Sequence, residues 1–154
     1  MSTPEERIAE LGLELPEVVT PLASYVPAAR TGSLVYTSGQ VPIVKGELVG
    51  TGKVGAEVSP ERAAELARIC ALNAIAALKA EVGELSRVVR IVKVVGFVAS
   101  APDFGGQPQV INGASEFLIE VFGEDGRHAR SAIGVAELPL NAPVEVEMIV
   151  EVRD

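Results

Sequence analysis

From Val144 to Val152 the chain reads Val-Glu-Val-Glu-Met-Ile-Val-Glu-Val, with an apolar residue at every second position and mostly glutamate between. Only a β-strand can bury one set and expose the other, because a helix would carry the glutamates round through the core. Such a strand needs a sheet with one covered face, and the rest of the chain must supply the cover. Just upstream, Arg130 to Leu138 is a short β-prone run that begins with an arginine and stops at Pro139. Proline cannot donate to a ladder and Asn141-Ala142-Pro143 is turn chemistry, so the two runs read as a connected strand pair. Arg130, at the start of one, could then face a glutamate at the start of the other.

Two segments have the pattern of covering helices. Ser59-Pro60-Glu61 supplies a cap, a proline at the first helical position and an acid in the first turn, and Gly83 is a natural stop. Between them Ala63, Leu66, Ala67, Cys70, Ala74, Ala77 and Leu78 form one stripe, and Val110, Ile111, Ala114, Phe117, Leu118, Val121 and Phe122 form a second, closed by Gly123. Cys70 belongs to the first stripe and reads as a packed thiol; Asn73, beside it, is expected to satisfy backbone groups of a neighbouring element. Val88 to Ala99 reads as a central strand, with Arg90 and Lys93 on opposite faces and Gly96 marking a bulge or a close approach.

Nearer the N-terminus, Tyr25 to Ala29 and Leu34 to Ser38 are β-prone runs around a hairpin-type interruption, and Val41 to Gly55 reads as a loop with a short strand. Thr3-Pro4-Glu5-Glu6 is a capping box opening a short helix over Pro4 to Leu11, which should pack on the body as a surface appendage. Leu13 to Pro21 reads as an extended connector. The order β-β-α-β-α-β-β describes an α+β fold: a single mixed sheet with two helices on one face, and a division into an N-terminal extension (1–20) and a main domain (21–154). The other face has no helix left to cover it, which argues for packing against copies of the same chain.

Composition narrows the chemistry. The 154 residues form one domain by length, 48% apolar and 4% aromatic. No apolar run approaches the ~18 residues of a membrane span, and the polar, acidic start is unlike a signal peptide, so a soluble, cytoplasmic protein without membrane contact is expected. One cysteine and one histidine make a disulfide or a zinc site a poor reading. A net charge of −8 disfavours a nucleic-acid partner, whose phosphates call for Lys and Arg.

Several separated segments carry a resemblance. Ala129-Arg130-Ser131, Val135-Ala136 with Leu138-Pro139, Val144-Glu145-Val146-Glu147, and upstream Thr37-Ser38-Gly39-Gln40-Val41-Pro42 resemble, in order, the motifs of the Rid family (reactive intermediate deaminases, also called YjgF or L-PSP). Asn73 and Asn112 fall where family asparagines fall. The resemblance runs from about residue 20 to 153. It implies a chorismate-mutase-like fold, a homotrimer with sites between subunits, no cofactor, no metal, and hydrolysis of small enamines and imines such as 2-aminoacrylate to 2-oxo acids and ammonia.

In that scheme Arg130 clamps the substrate carboxylate, a task suited to a planar guanidinium, and Glu145 orients the attacking water. Tyr25, Ser38, Gly39 and Asn112 match substrate-binding positions, although Asn112 could equally make a helix-face hydrogen bond elsewhere. On the residues alone, Arg130 could instead pair with a carboxylate such as Glu145. Glu147 and Glu151 share the face of Glu145 by the rule of two, so spacing does not choose among them. His128, a lone histidine in a turn, reads as solvent-exposed. Ala132 departs from the resemblance, standing where well-studied members carry a cysteine; with the Gly105-Gly106 loop and the N-terminal extension, it suggests a distinct branch. A non-catalytic binder of small carboxylates is the alternative from another class, and a ribonuclease or translation inhibitor a third.

Overall fold

In the computed structural model of the chain, which describes residues 2–18 and 24–154, the alternating run is β7 (Val144–Val152). Its even members are buried and its odd members half-exposed. It sits in the middle of a five-stranded sheet in the order β1 (Ala28–Thr31), β2 (Leu34–Thr37), β7, β5 (Val88–Ala99), β6 (Ala129–Val135). Only β5 and β6 run parallel; the other neighbours are antiparallel.

The helices α2 (Pro60–Val82) and α3 (Gln107–Phe122) cover one face of this sheet. Ser59 Oγ accepts from the Arg62 N–H at 3.1 Å and Gly83 closes α2 at φ 87°, so both ends of that helix are where the sequence puts them. Their apolar stripes pack with Val35, Ile91, Val94, Val98 and the even residues of β7 into one core. Gly113 lets α3 approach the backbone of Ala64 in α2: a Cβ there would lie 2.7 Å from the Ala64 carbonyl carbon. Cys70 is fully buried in this core.

The helix α1 (Pro4–Glu10) carries the expected capping box at Thr3 and Glu6. It docks across both long helices: Ile8 is buried, Glu5 accepts from Lys79 Nζ at 2.7 Å and from the Leu85 N–H at 3.0 Å, and Arg7 donates to the Val121 carbonyl at 2.9 Å. The following connector carries no regular structure as far as Val18, and residues 19–21 of it lie outside the described residues.

Four sequence readings are corrected. First, β6 and β7 are not a strand pair, because β5 lies between them. The α3 crossover lays β6 parallel beside β5, so the Pro139–Asn141 turn must carry the chain across the end of β5; Leu140 and Asn141 take φ 61° and 60° there. Second, Arg90 and Lys93 share a face. The partners Arg90↔Glu151 and Lys93↔Ile149 are two apart on β7 while the residues themselves are three apart on β5, so a bulge between Ile91 and Lys93 restores the phase. Gly96 marks not that bulge but a close approach, with a Cβ predicted to collide with the Ile111 side chain.

Third, Val41–Gly55 holds two short strands, β3 (Ile43–Val44) and β4 (Glu47–Leu48), joined by Lys45 and Gly46 at φ 52° and 82°, a pair of left-handed residues that closes a tight hairpin. Asn73 holds this hairpin to α2, donating to the carbonyls of Val41 and Ile43 at 3.1 and 3.0 Å, as expected of it. Fourth, the first strand begins at Ala28, after Pro27, so Tyr25 precedes it.

The face of the sheet away from the helices carries Tyr36, Lys93, Val95, Phe97, Ile133 and the odd residues of β7. No element among the described residues lies over it. No described helix is long and apolar enough to cross a membrane.

Candidate functional site

Arg130 lies at the start of β6 opposite Val94, a residue buried beneath the helices, so its side chain emerges on the helix side. It does not pair with Glu145. Its NH1 donates to Asn112 Oδ1 at 2.8 Å and to Ser115 Oγ at 3.2 Å, and NH2 makes a long contact of 3.4 Å with the Pro108 carbonyl. Asn112 and Ser115 are three residues apart on α3 and therefore share the helix face that meets β6. Asn112 thus makes a helix-face hydrogen bond, and that bond is to the arginine itself. NH1 has spent both protons; Nε has no partner among the described residues. The guanidinium is therefore held through NH1 and NH2, and Nε with the second NH2 proton is left to meet a planar oxyanion.

Ser115 extends this arrangement to a residue that the sequence misplaced. His128 is half-buried rather than exposed: Nε2 lies 2.8 Å from Ser115 Oγ and Nδ1 lies 2.6 Å from the Gly126 carbonyl. A carbonyl only accepts, so Nδ1 carries the proton and the neutral ring accepts from the Ser115 hydroxyl at Nε2. Burial pushes the imidazole pKa down; the Gly126 carbonyl opposes this and the nearby Arg130 charge adds to it. Ser115, Ile119, Arg127, His128 and Arg130 line a cavity of about 220 Å³. The sequence signal for Ser115 was its helical spacing from Asn112.

A second group of residues gathers elsewhere. Tyr25, Ser38 and Gly39 line a larger cavity of about 550 Å³ with Val41, Asn73 and Ala76. Ser38 donates its hydroxyl to the Val26 carbonyl at 2.6 Å, and its N–H to the Pro27 carbonyl at 2.8 Å, which ties this strand end to the segment carrying Tyr25. Between the pairs Tyr36↔Ile149 and Gln40↔Val146 the first chain advances four residues and its partner three. One extra residue is thereby accommodated beside Gly39.

Glu145 lies under that irregularity. A Cβ on Gly39 would stand 2.8 Å from the Glu145 side-chain carboxyl carbon, so the glycine is what admits the carboxylate. Burial raises the pKa of Glu145, and the like charge of Glu147 two residues on raises it further. Of the three glutamates on this face, Glu145 is the one packed against Gly39. Cys70 is unsuited to nucleophilic work, since burial pushes its thiol well up.

One copy of the chain therefore keeps these candidate residues apart. Arg130 and Asn112 lie on the helix side of the β6 edge; Tyr25, Ser38 and Gly39 line the cavity against α2; Glu145 meets Gly39 from the face of the sheet away from the helices. Among the described residues no group of three His, Cys, Asp or Glu side chains could hold a metal ion.

Comparison with known proteins places this architecture. Residues 5–152 match the family model described as "YjgF/chorismate_mutase-like, putative endoribonuclease". The chain is 42% identical to Protein TCP17 of Trypanosoma cruzi over 150 residues, 96% of this chain and 92% of that one. Among solved structures it is similar to the protein Atu1372 of Agrobacterium tumefaciens, described as of unknown function (TM-score 0.92, 47% identity, 98% of this chain and 94% of the other). It is also similar to a "putative endoribonuclease" of Shewanella oneidensis (TM-score 0.95, 39% identity, 98% and 100%). With the family match spanning nearly the whole chain, including the helix that docks across α2 and α3, the protein belongs to the YjgF/chorismate-mutase-like family.

Proposed function

We propose that the protein hydrolyses small 2-imino acids and their enamine tautomers to 2-oxo acids and ammonia, in a site completed between subunits of a homotrimer. The observation that carries this reading is the state of Arg130: held at NH1 by Asn112 and Ser115 and at NH2 by a long contact with the Pro108 carbonyl, with Nε and the second NH2 proton left over. Those two donors suit a carboxylate adjacent to a C=N carbon, because two parallel hydrogen bonds fix the plane of the reacting group.

Glu145 supplies what the reaction then needs. Water adds its oxygen to the imine carbon as Glu145 takes one proton from it and passes that proton to nitrogen, giving a carbinolamine; the hydroxyl proton then moves to the same nitrogen as the C–N bond breaks, so the carbonyl forms and ammonia leaves. An enamine first gains a proton at carbon. A carboxyl whose pKa is raised by burial matches these exchanges better than a fully solvated one. Tyr25 is exposed beside Ser38 and Gly39, where its hydroxyl could meet substrate or water. Since each copy offers Arg130 on one side and Glu145 on another, a second copy would bring the two together. No cofactor is required by this scheme.

A binding-only role would use the same cleft. It is distinguished by Glu145→Gln, which on that reading changes nothing measurable beyond affinity. The endoribonuclease wording attached to relatives is less well supported here: 13 basic against 21 acidic residues oppose an RNA backbone. The test is release of 2-oxo acid from freshly generated imines. Wild type should exceed the buffer rate, and Arg130→Ala and Glu145→Gln should each fall at least ~100-fold, the scale of a lost general acid–base group. No acceleration by wild type on any imine defeats the proposal.

A further inference from the structure

We infer that the Arg130–Ser115–His128 cavity is a proton-coupled anion site, in which Ser115 and His128 are positioning residues that link carboxylate binding at Arg130 to the protonation of His128. The inference deepens the carboxylate-clamp reading and rests on it.

The coupling follows from the direction of each hydrogen bond. With the ring neutral, Arg130 donates to Ser115, Ser115 donates to His128 Nε2, and His128 Nδ1 donates to the Gly126 carbonyl. The serine proton is then committed to the histidine and is not offered to a ligand. When His128 takes up a proton, Nε2 becomes a donor. Ser115 Oγ can accept from both Arg130 and His128, having two lone pairs, and must turn its own proton away. The cavity of about 220 Å³ that these three residues share offers that proton a direction. A carboxylate there receives the serine proton and lies beside three cations, Arg127, Arg130 and the imidazolium, rather than two. Without an anion the neutral ring is favoured, first by burial and then by the Arg130 charge.

The charges around the ring support this assignment. Arg130 reaches it from β6. Arg127, from the same turn as His128, lines the cavity while its Nε is engaged with Glu124 at 3.2 Å. The α3 residues lining the cavity, Ser115 and Ile119, are uncharged. On β5, Lys93 lies on the opposite face, bonded to Ser131.

The chain has one histidine, so one imidazole titration reports the site without assignment. The probe is acetate, added to wild type, Ser115→Ala and Ser115→Thr while the ring is followed by NMR. Acetate should raise the midpoint of the ring titration in wild type and bind at least about fivefold more tightly near pH 5.5 than near pH 8, as reciprocity of coupled binding requires. Ser115→Thr should keep the coupling and Ser115→Ala should lose most of it. Equal acetate affinity at both pH values overturns the inference, as does coupling that survives Ser115→Ala. The wild-type measurement decides without any variant. Absence of acetate binding at both pH values defeats this inference and the clamp together, whereas intact coupling in a protein that hydrolyses no imine defeats only the deaminase reading.

Discussion

Arg130 and Glu145 stand on opposite faces of the same sheet. Arg130 is level with Val94 on β5 and Glu145 with Phe97; these two residues are three apart along a regular stretch of that strand, and Val94 is buried under the helices. No rotamer change brings the two side chains together around an intact sheet. If both act on one substrate, they come from different copies of the chain.

Mixing two dead variants tests this. Arg130→Ala retains Glu145, and Glu145→Gln retains Arg130. Co-assembled in rings by random assortment, roughly a quarter of the inter-subunit sites would receive the intact member of each pair. Imine hydrolysis should reappear at about that fraction of wild type in the mixture, while each variant alone stays inactive. A mixture that forms mixed oligomers yet gains nothing would show that one copy supplies both groups.

Gly39 offers a gentler perturbation. Its missing Cβ is what leaves room for Glu145, and the atoms in the way are the far end of a flexible side chain. Gly39→Ala should therefore fold with little change in stability while displacing the carboxylate. Displacements of this order cost on the order of 100-fold in rate when a reacting group must be aligned. The expected result is an unfolding midpoint near wild type with kcat/KM down by about that factor. An unchanged kcat/KM would remove Glu145 from the catalytic scheme.

What the sequence made legible were features with local causes. The alternation of β7, the cap at Ser59, the capping box at Thr3 and both helix stripes appear where they were read. Asn73 does what a polar residue beside an apolar stripe is expected to do. What stayed hidden depends on partners far along the chain. Val-Val-Arg-Ile-Val-Lys-Val-Val has no polar alternation to pin its register, so its bulge left no trace in the residue order. The insertion of β5 between β6 and β7 is a property of the crossover rather than of either strand. His128 reads as a solvated turn residue until α3 brings Ser115 to it. The candidate residues could be named from the sequence, but the opposite facing of Arg130 and Glu145 could not, because facing in a sheet is set by pairing.

Gly113 makes a stability prediction against ordinary helix propensity. In the interior of a helix, Ala is favoured over Gly by about 1 kcal/mol. Here a Cβ would press into the Ala64 carbonyl, and its carbon at 2.7 Å belongs to backbone that cannot turn aside. The two helices would have to separate and lose contacts throughout their interface. Gly113→Ala should destabilise the protein by about 1–3 kcal/mol, the usual range for overpacking a well-filled core. Urea unfolding measures it directly. A midpoint at or above wild type would mean that the helices can part at no cost.

The pH dependence of stability carries the signature of Glu145. Its folded carboxyl holds a proton more tightly than the unfolded chain does, because burial and Glu147 disfavour the charge. A raised carboxyl pKa means that the native state binds more protons between the ordinary glutamate value of about 4.3 and the raised value. Stability therefore rises from this group as pH falls through that window, and the cost of the buried charge is fully present above it. Glu145→Gln removes the charge and keeps the shape. The variant should exceed wild type in stability at neutral pH, by less than about 1 kcal/mol because the group is half-exposed and screened. The advantage should shrink as pH approaches 4. His128 acts in the opposite sense in both proteins, since a depressed imidazole pKa costs stability on acidification, so the comparison must be the difference between variant and wild type at each pH. Denaturant midpoints from pH 4 to 8 supply that difference. A variant less stable than wild type at neutral pH would mean that Glu145 is held by favourable contacts, and that its charge is not a strain kept for chemistry.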